Sequence, residues 1–204
     1  MRSIAVAISE HPDLNLVRHG KRFARFEDVD VAVPVEVETP EGKFPKQVVV
    51  RRAQLKSVEE ISAELTAGRT HHGQTGETGE EDRWAHQTMK LVRHLPRFIR
   101  LAMIKLVMRS AFRIKARAGT TLVTSVGKFA SIPGFQLTLT TGPRASSYVV
   151  GAVVEKPWAH AGRMALRKVL SLTIVVDHDL VDGAPAARFA VRLQQLIESA
   201  DGLA

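Results

Sequence analysis

Residues 171–189 read SLTIVVDHDLVDGAPAARF, and this stretch decides the fold of the chain. The apolar, β-branched run before His178 predicts a buried strand that ends at the histidine. Asp182 and Gly183 then form a short turn. Pro185 near the first helical turn and the spaced apolar residues after it predict an amphipathic helix that packs back on the strand. The stretch therefore presents a histidine at the end of a strand, immediately before a helix.

Working outward, the rest of the chain predicts strands and helices without strict alternation. The alternating valines and turn residues of 28–50 predict a β-hairpin. Further strands are predicted at 119–127, 135–141, 147–154 and 169–176. Helices are predicted from the N-terminus to His11 and after Ser57, where Glu60 completes a capping box. This mixture favours an α/β fold, a two-layer sandwich with a mixed β-sheet.

Length and composition fit one domain over residues 1–204. The chain is 45% hydrophobic and 25% charged, as in ordinary globular proteins. It has no cysteine, which excludes disulfides, a thiol nucleophile and a cysteine-ligated metal. We expect no metal at His71 and His72, because no further ligand follows at suitable spacing. We predict a cytoplasmic location and no membrane span, because a secretory signal is missing and residues 91–114 are interrupted throughout by arginine and lysine.

Residues 66–117 are unusual in charge. The polar, glycine-rich part at 66–82 predicts a mobile loop, and residues 84–117 predict helix with a break at Pro96. No Asp or Glu occurs from 83 to 154, although the whole chain carries a net charge of +8. This basic stretch fits a phosphate-rich cofactor, an anionic membrane surface, nucleic acid, an acidic protein patch or a merely solvated face.

The HxxxDG motif from His178 to Gly183, between a strand and a helix, resembles the signature of the dihydrolipoyl acyltransferases of 2-oxoacid dehydrogenase complexes. Residues 119–130, GTTLVTSVGKFA, are similar to the family strand in which a hydroxyl residue precedes a glycine. Residues 11–65, starting with HPDLN, are similar to the earlier half of that domain. The resemblance implies the coenzyme-A-dependent, chloramphenicol acetyltransferase-like fold as a single domain. Residues 66–117 fit least well, as a divergent loop plus basic helical segment.

The resemblance implies an acyltransferase enzyme that moves an acyl group between coenzyme A and a thiol of dihydrolipoyl type, or another small acceptor. His178 would be the general base, since histidine exchanges protons near neutral pH. Thr124, or its neighbour Ser125, would stabilise the tetrahedral intermediate. Asp182 would be structural, held by an ion pair that shapes the turn, and Gly183 would allow close packing there.

The resemblance also implies partners and cofactors. It predicts a homotrimer, or a larger assembly, in which His178 of one subunit meets Thr124 of its neighbour. Acyl-coenzyme A would be a substrate, no metal would be needed, and no lipoyl-lysine hairpin is visible in this chain.

Two features depart from the family pattern and keep alternatives open. Asp179 stands where the family usually has arginine, and a carboxylate there would repel the phosphates of coenzyme A. The chain also starts inside the family's domain, and no lipoyl or subunit-binding domain is visible. One alternative is a non-catalytic structural or assembly domain that retains the fold. Another is nucleic-acid binding or peripheral membrane contact through residues 83–117, which ranks last because only 5% of residues are aromatic.

Overall fold

The structure is a computed structural model that describes residues 1–39, 42–74, 95–127, 134–137, 142–160 and 162–200. Its strands are β1 Leu16–His19, β2 Arg22–Arg25, β3 Val31–Thr39, β4 Gly42–Val50, β5 Thr121–Ser125, β6 Ser146–His160 and β7 Arg163–Val176. The last five form one sheet in the order β4-β3-β5-β6-β7, while β1 and β2 form a separate pair. The inner pairs β3/β5 and β5/β6 are parallel, and the outer pairs β3/β4 and β6/β7 are antiparallel. The predicted mixed sheet is confirmed.

Five α-helices lie in the described part of the chain. They are α1 Arg2–Glu10, α2 Val58–Gln74, α3 Arg97–Met108, α4 Ala111–Ala118 and α5 Gly183–Glu198. Helices α1 and α5 pack together and bury their apolar stripes against the sheet, with Ile8, Phe189 and Leu193 in the core. Arg192 Nε donates to Glu10 Oε2 at 2.6 Å and joins the two helices at the surface. The predicted two-layer sandwich is therefore confirmed.

The start of α2 follows the predicted capping box. Ser57 Oγ accepts from the Glu60 amide at 3.2 Å, and a Glu60 carboxylate oxygen accepts from the Ser57 amide at 2.7 Å. The predicted loop over 66–82 is wrong for residues 66–74, which continue the helix. Thr66 and Thr70 are exposed, and their hydroxyls donate to carbonyls one turn earlier in the helix. Residues 75–82 lie outside the described residues.

Two other predictions differ from the structure. Residues 135–137 are not a strand, and residues 138–141 lie outside the described residues. Helix with a break at Pro96 was predicted over 84–117; within the described part, α3 begins just after Pro96, as predicted, but a second, unpredicted break separates α3 from α4. At that break the Ser110 hydroxyl accepts from the Arg113 amide at 3.5 Å and caps α4.

Strands β6 and β7 are much longer than predicted. Beyond the sheet they continue as a two-stranded ribbon, from Val153 opposite Leu170 to His160 opposite Arg163. The register shifts between Val150 and Val153, where the ribbon leaves the sheet. Most of the ribbon is exposed on both faces, so its sequence lacks the alternation that marks a half-buried strand.

Candidate active site

His178 lies where β7 ends and the turn to α5 begins, as predicted. Its side chain is exposed. The amides of Leu180 and Val181 both donate to the Asp177 carbonyl at 3.0 Å, and Val181 is buried in the core at 2% exposure. The hydrogen bonds to the Asp177 carbonyl and the buried Val181 side chain therefore fix the turn, with the His178 imidazole exposed to solvent.

The carboxylate that organises this turn belongs to Asp177. Its Oδ1 accepts from the Asp179 amide at 3.1 Å, and its Oδ2 lies 3.8 Å from Arg18 Nη2. The resemblance implied such an ion pair for Asp182. Among the residues that the structure describes, Asp182 has no ion pair; it occupies the N-cap position of α5 without a side-chain cap bond. Asp177 is thus a turn-forming residue that the motif did not identify, although it directly precedes the histidine.

Gly183 corrects a second expectation. Close packing was predicted there, yet a Cβ added to Gly183 would meet no atom within 4 Å. The close approach occurs at Gly127, in the TSVG segment after β5, where an added Cβ would lie 2.3 Å from the Gly151 carbonyl oxygen. The glycine of that segment is therefore required by backbone packing against β6.

Thr124 is placed by the way β5 starts. Helix α4 ends at Gly119, which has φ +66° and whose added Cβ would lie 2.5 Å from the Asp30 carbonyl oxygen. The Thr120 amide donates to the same carbonyl at 2.7 Å, which sets β5 beside β3. Side chains then alternate: Val123 is buried in the core, whereas Thr124 is partly exposed on the opposite face. Ser125, at the strand end, is exposed.

Thr124 and His178 do not meet within one chain. The register places Thr124 opposite Val149, and Val149 opposite Thr173 of β7. At about 3.3 Å per residue and about 4.8 Å per strand, the Cα atoms of Thr124 and Val176 lie about 14 Å apart. His178 is farther still, because the Asp177 amide donates to the Ala145 carbonyl at 2.9 Å and so continues the ladder away from Thr124.

The electrostatics around His178 are dominated by carboxylates. Asp177, Asp179 and Asp182 surround it in sequence, and Arg18 supplies a positive charge beside Asp177. Tyr148 of β6, the strand paired with β7, is fully buried and packs against Phe189 of α5 with ring centroids 5.8 Å apart. Burial raises the pKa of Tyr148 and keeps its phenol neutral. The core contact between β6 and α5 at Tyr148 and Phe189 is therefore uncharged.

Within the described ranges the chain shows neither a metal-binding cluster nor a membrane-spanning helix. No group of three His, Asp or Glu side chains there could hold a metal ion. In the part of the chain that the structure describes, no helix is both long and apolar enough to cross a bilayer.

Comparisons with known proteins show similarity to one family of acyltransferases. Residues 113–204 match the model of the 2-oxoacid dehydrogenases acyltransferase catalytic domain. A curated relative, the lipoamide acyltransferase component of the branched-chain alpha-keto acid dehydrogenase complex of Bacillus subtilis (strain 168), is 22% identical over 98% of this chain and 38% of its own length. The chain thus spans well under half of the curated relatives it matches.

Solved structures share the fold. A probable dihydrolipoamide acetyltransferase from Listeria monocytogenes 4b F2365 superposes with a TM-score of 0.69 at 18% identity, over 97% of this chain and 68% of the other. The dihydrolipoamide acetyltransferase of Azotobacter vinelandii gives a TM-score of 0.67 at 20% identity, over 99% and 68%. That structure was determined in an investigation of the role of a serine, a histidine and an asparagine in its catalytic mechanism. By its C-terminal family match, its curated relatives and its fold, this chain is similar to the catalytic domains of the 2-oxoacid dehydrogenase acyltransferases.

Proposed function

We propose that the chain is an acyltransferase that moves an acyl group between coenzyme A and a small thiol of dihydrolipoyl type, with His178 as general base. The observation that carries the proposal is the exposed imidazole on a tightly pinned turn between β7 and α5. The turn lies inside the segment that matches the acyltransferase catalytic domain. An exposed, rigidly held histidine can reach a substrate proton without rearrangement of the backbone.

The chemistry assigns one role to each side chain. His178 removes the proton of the attacking thiol, and the resulting thiolate adds to the thioester carbonyl carbon. The Thr124 hydroxyl donates a hydrogen bond to the oxyanion of the tetrahedral intermediate. The intermediate collapses, the carbon–sulfur bond of the original thioester breaks, and the departing thiolate takes the proton back from His178. The reaction needs no metal and no redox partner.

The spacing of the catalytic groups in a neighbour of known structure supports these roles. In the Azotobacter vinelandii enzyme the asparagine lies four positions after the histidine, and the serine precedes both. Here Asp182 lies four positions after His178, and Thr124 and Ser125 precede it. Asp182 therefore has the same spacing from its histidine as that asparagine has.

The active site is completed between chains. Thr124 and His178 are too far apart in one chain for their side chains to act on the same carbonyl. The sheet face that carries Thr124 also carries Thr173 and Val175, which are partly exposed, and Val149 between Thr124 and Thr173, which is buried. A closed homotrimer supplies three equivalent sites, each with His178 of one subunit and Thr124 of the next. A place in a larger complex is supported by the name of the Bacillus subtilis relative.

The direct test is acyl exchange. Free coenzyme A would be measured as it is released from acetyl-, propionyl- and branched-chain acyl-coenzyme A in the presence of dihydrolipoamide. We expect acceptor-dependent release that falls by about 10²–10⁴ in His178→Ala. A folded trimer that releases no coenzyme A with any donor would contradict the proposal.

Asp179→Asn is the matched control on the same turn. It keeps the imidazole and the backbone but removes the charge that faces incoming phosphates. We expect kcat close to that of the wild type and a lower KM for acyl-coenzyme A. A loss as large as that in His178→Ala would mean that the turn, rather than the imidazole, had been damaged.

The alternative is a structural domain that retains the fold. The carboxylates of Asp177, Asp179 and Asp182 favour it, because they oppose a polyanionic substrate near His178. A trimer that neither binds nor turns over coenzyme A would establish this alternative.

A further inference from the structure

Helix α3 carries a solvent-exposed face on which apolar and basic side chains lie in parallel rows. One row contains Phe98, Ala102 and Leu106, at intervals of four residues. The adjacent row contains Leu101, Lys105 and Arg109. All six residues are exposed, with Phe98 at 72% and Leu106 at 60%. Large apolar side chains in such a row are rarely left in water without a partner.

The face ends at a basic cavity. A cavity of about 500 Å³ lies between the β1–β2 turn, the end of α3 and the start of α4. It is lined by Lys21 and Arg22 of the turn and by Arg109 and Arg113 of the helices, and no carboxylate lines it. Within the described residues, none of these four cations forms an ion pair.

The cavity is held in place by specific contacts. His19 Nδ1 accepts from the Ala111 amide at 3.1 Å, which ties the turn to the first residue of α4. The rings of His19 and Phe26 both pack edge-on against Phe112, with centroids 5.9 Å and 5.6 Å away. Leu106 ends the apolar row and also lines the cavity, so the two are parts of one continuous surface.

We propose that this surface, formed by the exposed face of α3 and the cationic cavity beside it, docks the protein on an anionic phospholipid bilayer. The row from Phe98 to Leu106 enters the acyl-chain boundary, and Lys21, Arg22, Arg109 and Arg113 bind the phosphate headgroups. An interfacial helix needs this combination of apolar side chains with lysine and arginine beside them. The interaction is peripheral, since α3 is too short to span a bilayer.

Charge and hydropathy together favour lipid over other occupants. A nucleic acid would satisfy the cations but would leave Phe98, Leu101 and Leu106 facing a hydrophilic backbone. In a two-fold contact, a second copy of the same face would bring arginine against arginine. In the proposed trimer the face would meet a different surface of its neighbour, and the sedimentation measurement below tests that contact. An anionic bilayer satisfies both rows at once, with phosphates for the cations and acyl chains for the apolar residues.

The test is co-sedimentation of the full chain with vesicles. We expect strong binding to vesicles of phosphatidylcholine and phosphatidylglycerol in equal parts, and weak binding to phosphatidylcholine alone. Phe98→Ser with Leu106→Ser should weaken binding about tenfold or more. Lys21→Gln with Arg109→Gln should weaken it by about fivefold for each charge removed.

Matched controls separate docking from loss of fold or assembly. Leu166→Ser with Arg167→Gln removes an exposed leucine and a charge from the β6–β7 ribbon and should bind vesicles like the wild type. Thermal melting and acyl exchange of each variant show that the fold and the catalytic site are intact, and neither depends on lipid. Phe98→Trp should gain fluorescence that brominated acyl chains quench.

Three results would overturn the inference. The first is binding to phosphatidylcholine alone that equals binding to the anionic vesicles. The second is a Phe98→Ser, Leu106→Ser variant that falls from trimer to monomer in sedimentation, because the face would then belong to a second copy. The third is tight binding of single-stranded RNA that the apolar substitutions leave unchanged while vesicle binding is absent.

Discussion

Two inactive variants of this chain should restore one another's activity when they are mixed. His178→Ala removes the base and Thr124→Ala removes the oxyanion donor, so each pure trimer lacks one group at every site. We expect losses of about 10²–10⁴ for the base and about 10²–10³ for the hydroxyl. The Cα atoms of Thr124 and Val176 lie about 14 Å apart in one chain, so each site must draw its two groups from different chains.

The size of the recovery follows from this geometry. When equal amounts of the variants are unfolded together and reassembled, half of the base positions and half of the hydroxyl positions carry the native residue. About a quarter of the sites in randomly assorted trimers are then complete. Activity should rise from about one per cent or less to about a quarter of the wild-type value, measured as coenzyme A release.

The same experiment can refute the reasoning. Mixed trimers verified by mass spectrometry that stay as inactive as the parents would show that His178 does not act with Thr124 of another chain. Replacing Thr124→Ala by Ser125→Ala in the mixture decides which hydroxyl is used. Only the variant that has lost the functional hydroxyl should be inactive alone and complement His178→Ala.

Three further predictions concern stability. Ser57→Ala removes the cap of α2 and should lower the free energy of unfolding, measured in urea, by about 1 kcal/mol. The control Ser62→Ala, on the exposed part of the same helix, should cause no such loss. Equal losses in the two variants would contradict the capping role. Tyr148 is the single tyrosine, and burial raises its pKa, so phenolate absorbance should not appear in the folded chain near pH ~10. The free energy of unfolding should fall as the pH rises above that value, because only the unfolded chain then loses the phenol proton. Phenolate absorbance of the folded chain near pH ~10 would disprove this. The hydrogen bond from Arg192 lowers the pKa of Glu10. The pair should therefore add at most about 1 kcal/mol to the free energy of unfolding at neutral pH, and this contribution should be lost as the pH falls through that pKa. Arg192→Gln should remove this pH dependence from urea unfolding curves.

The sequence predicted the elements whose signals are local. The capping box at Ser57, the 28–50 hairpin and the strand that ends at His178 all follow from patterns within ten residues or so of themselves. Each was confirmed as an element, because local backbone hydrogen bonding favours the same structure there, although β7 was predicted to be buried and only Ser171 of it is.

The remaining features depend on contacts that sequence spacing does not encode. The ribbon beyond Val153 is exposed on both faces and has no periodic signal. The role of Asp177 depends on Arg18, which is far away in sequence. Gly127 is required because β6 brings the Gly151 carbonyl against it, and the sequence alone does not predict that contact. The site assignments of His178 and Thr124 stay predictions from the resemblance.

The register shift between Val150 and Val153 also divides two strands into parts with different dynamics. On one side of it, β6 lies between β5 and β7 and exchanges hydrogen bonds with both. On the other side, β6 and β7 are paired only with each other among the described residues, and a pair of strands on its own is marginally stable in water. The ribbon should therefore open and close many times during the life of one folded molecule, while the sheet a few residues away stays shut. The β6–β7 hairpin should therefore contain both backbone hydrogen bonds that open rarely, beside β5, and backbone hydrogen bonds that open often, beyond Val153.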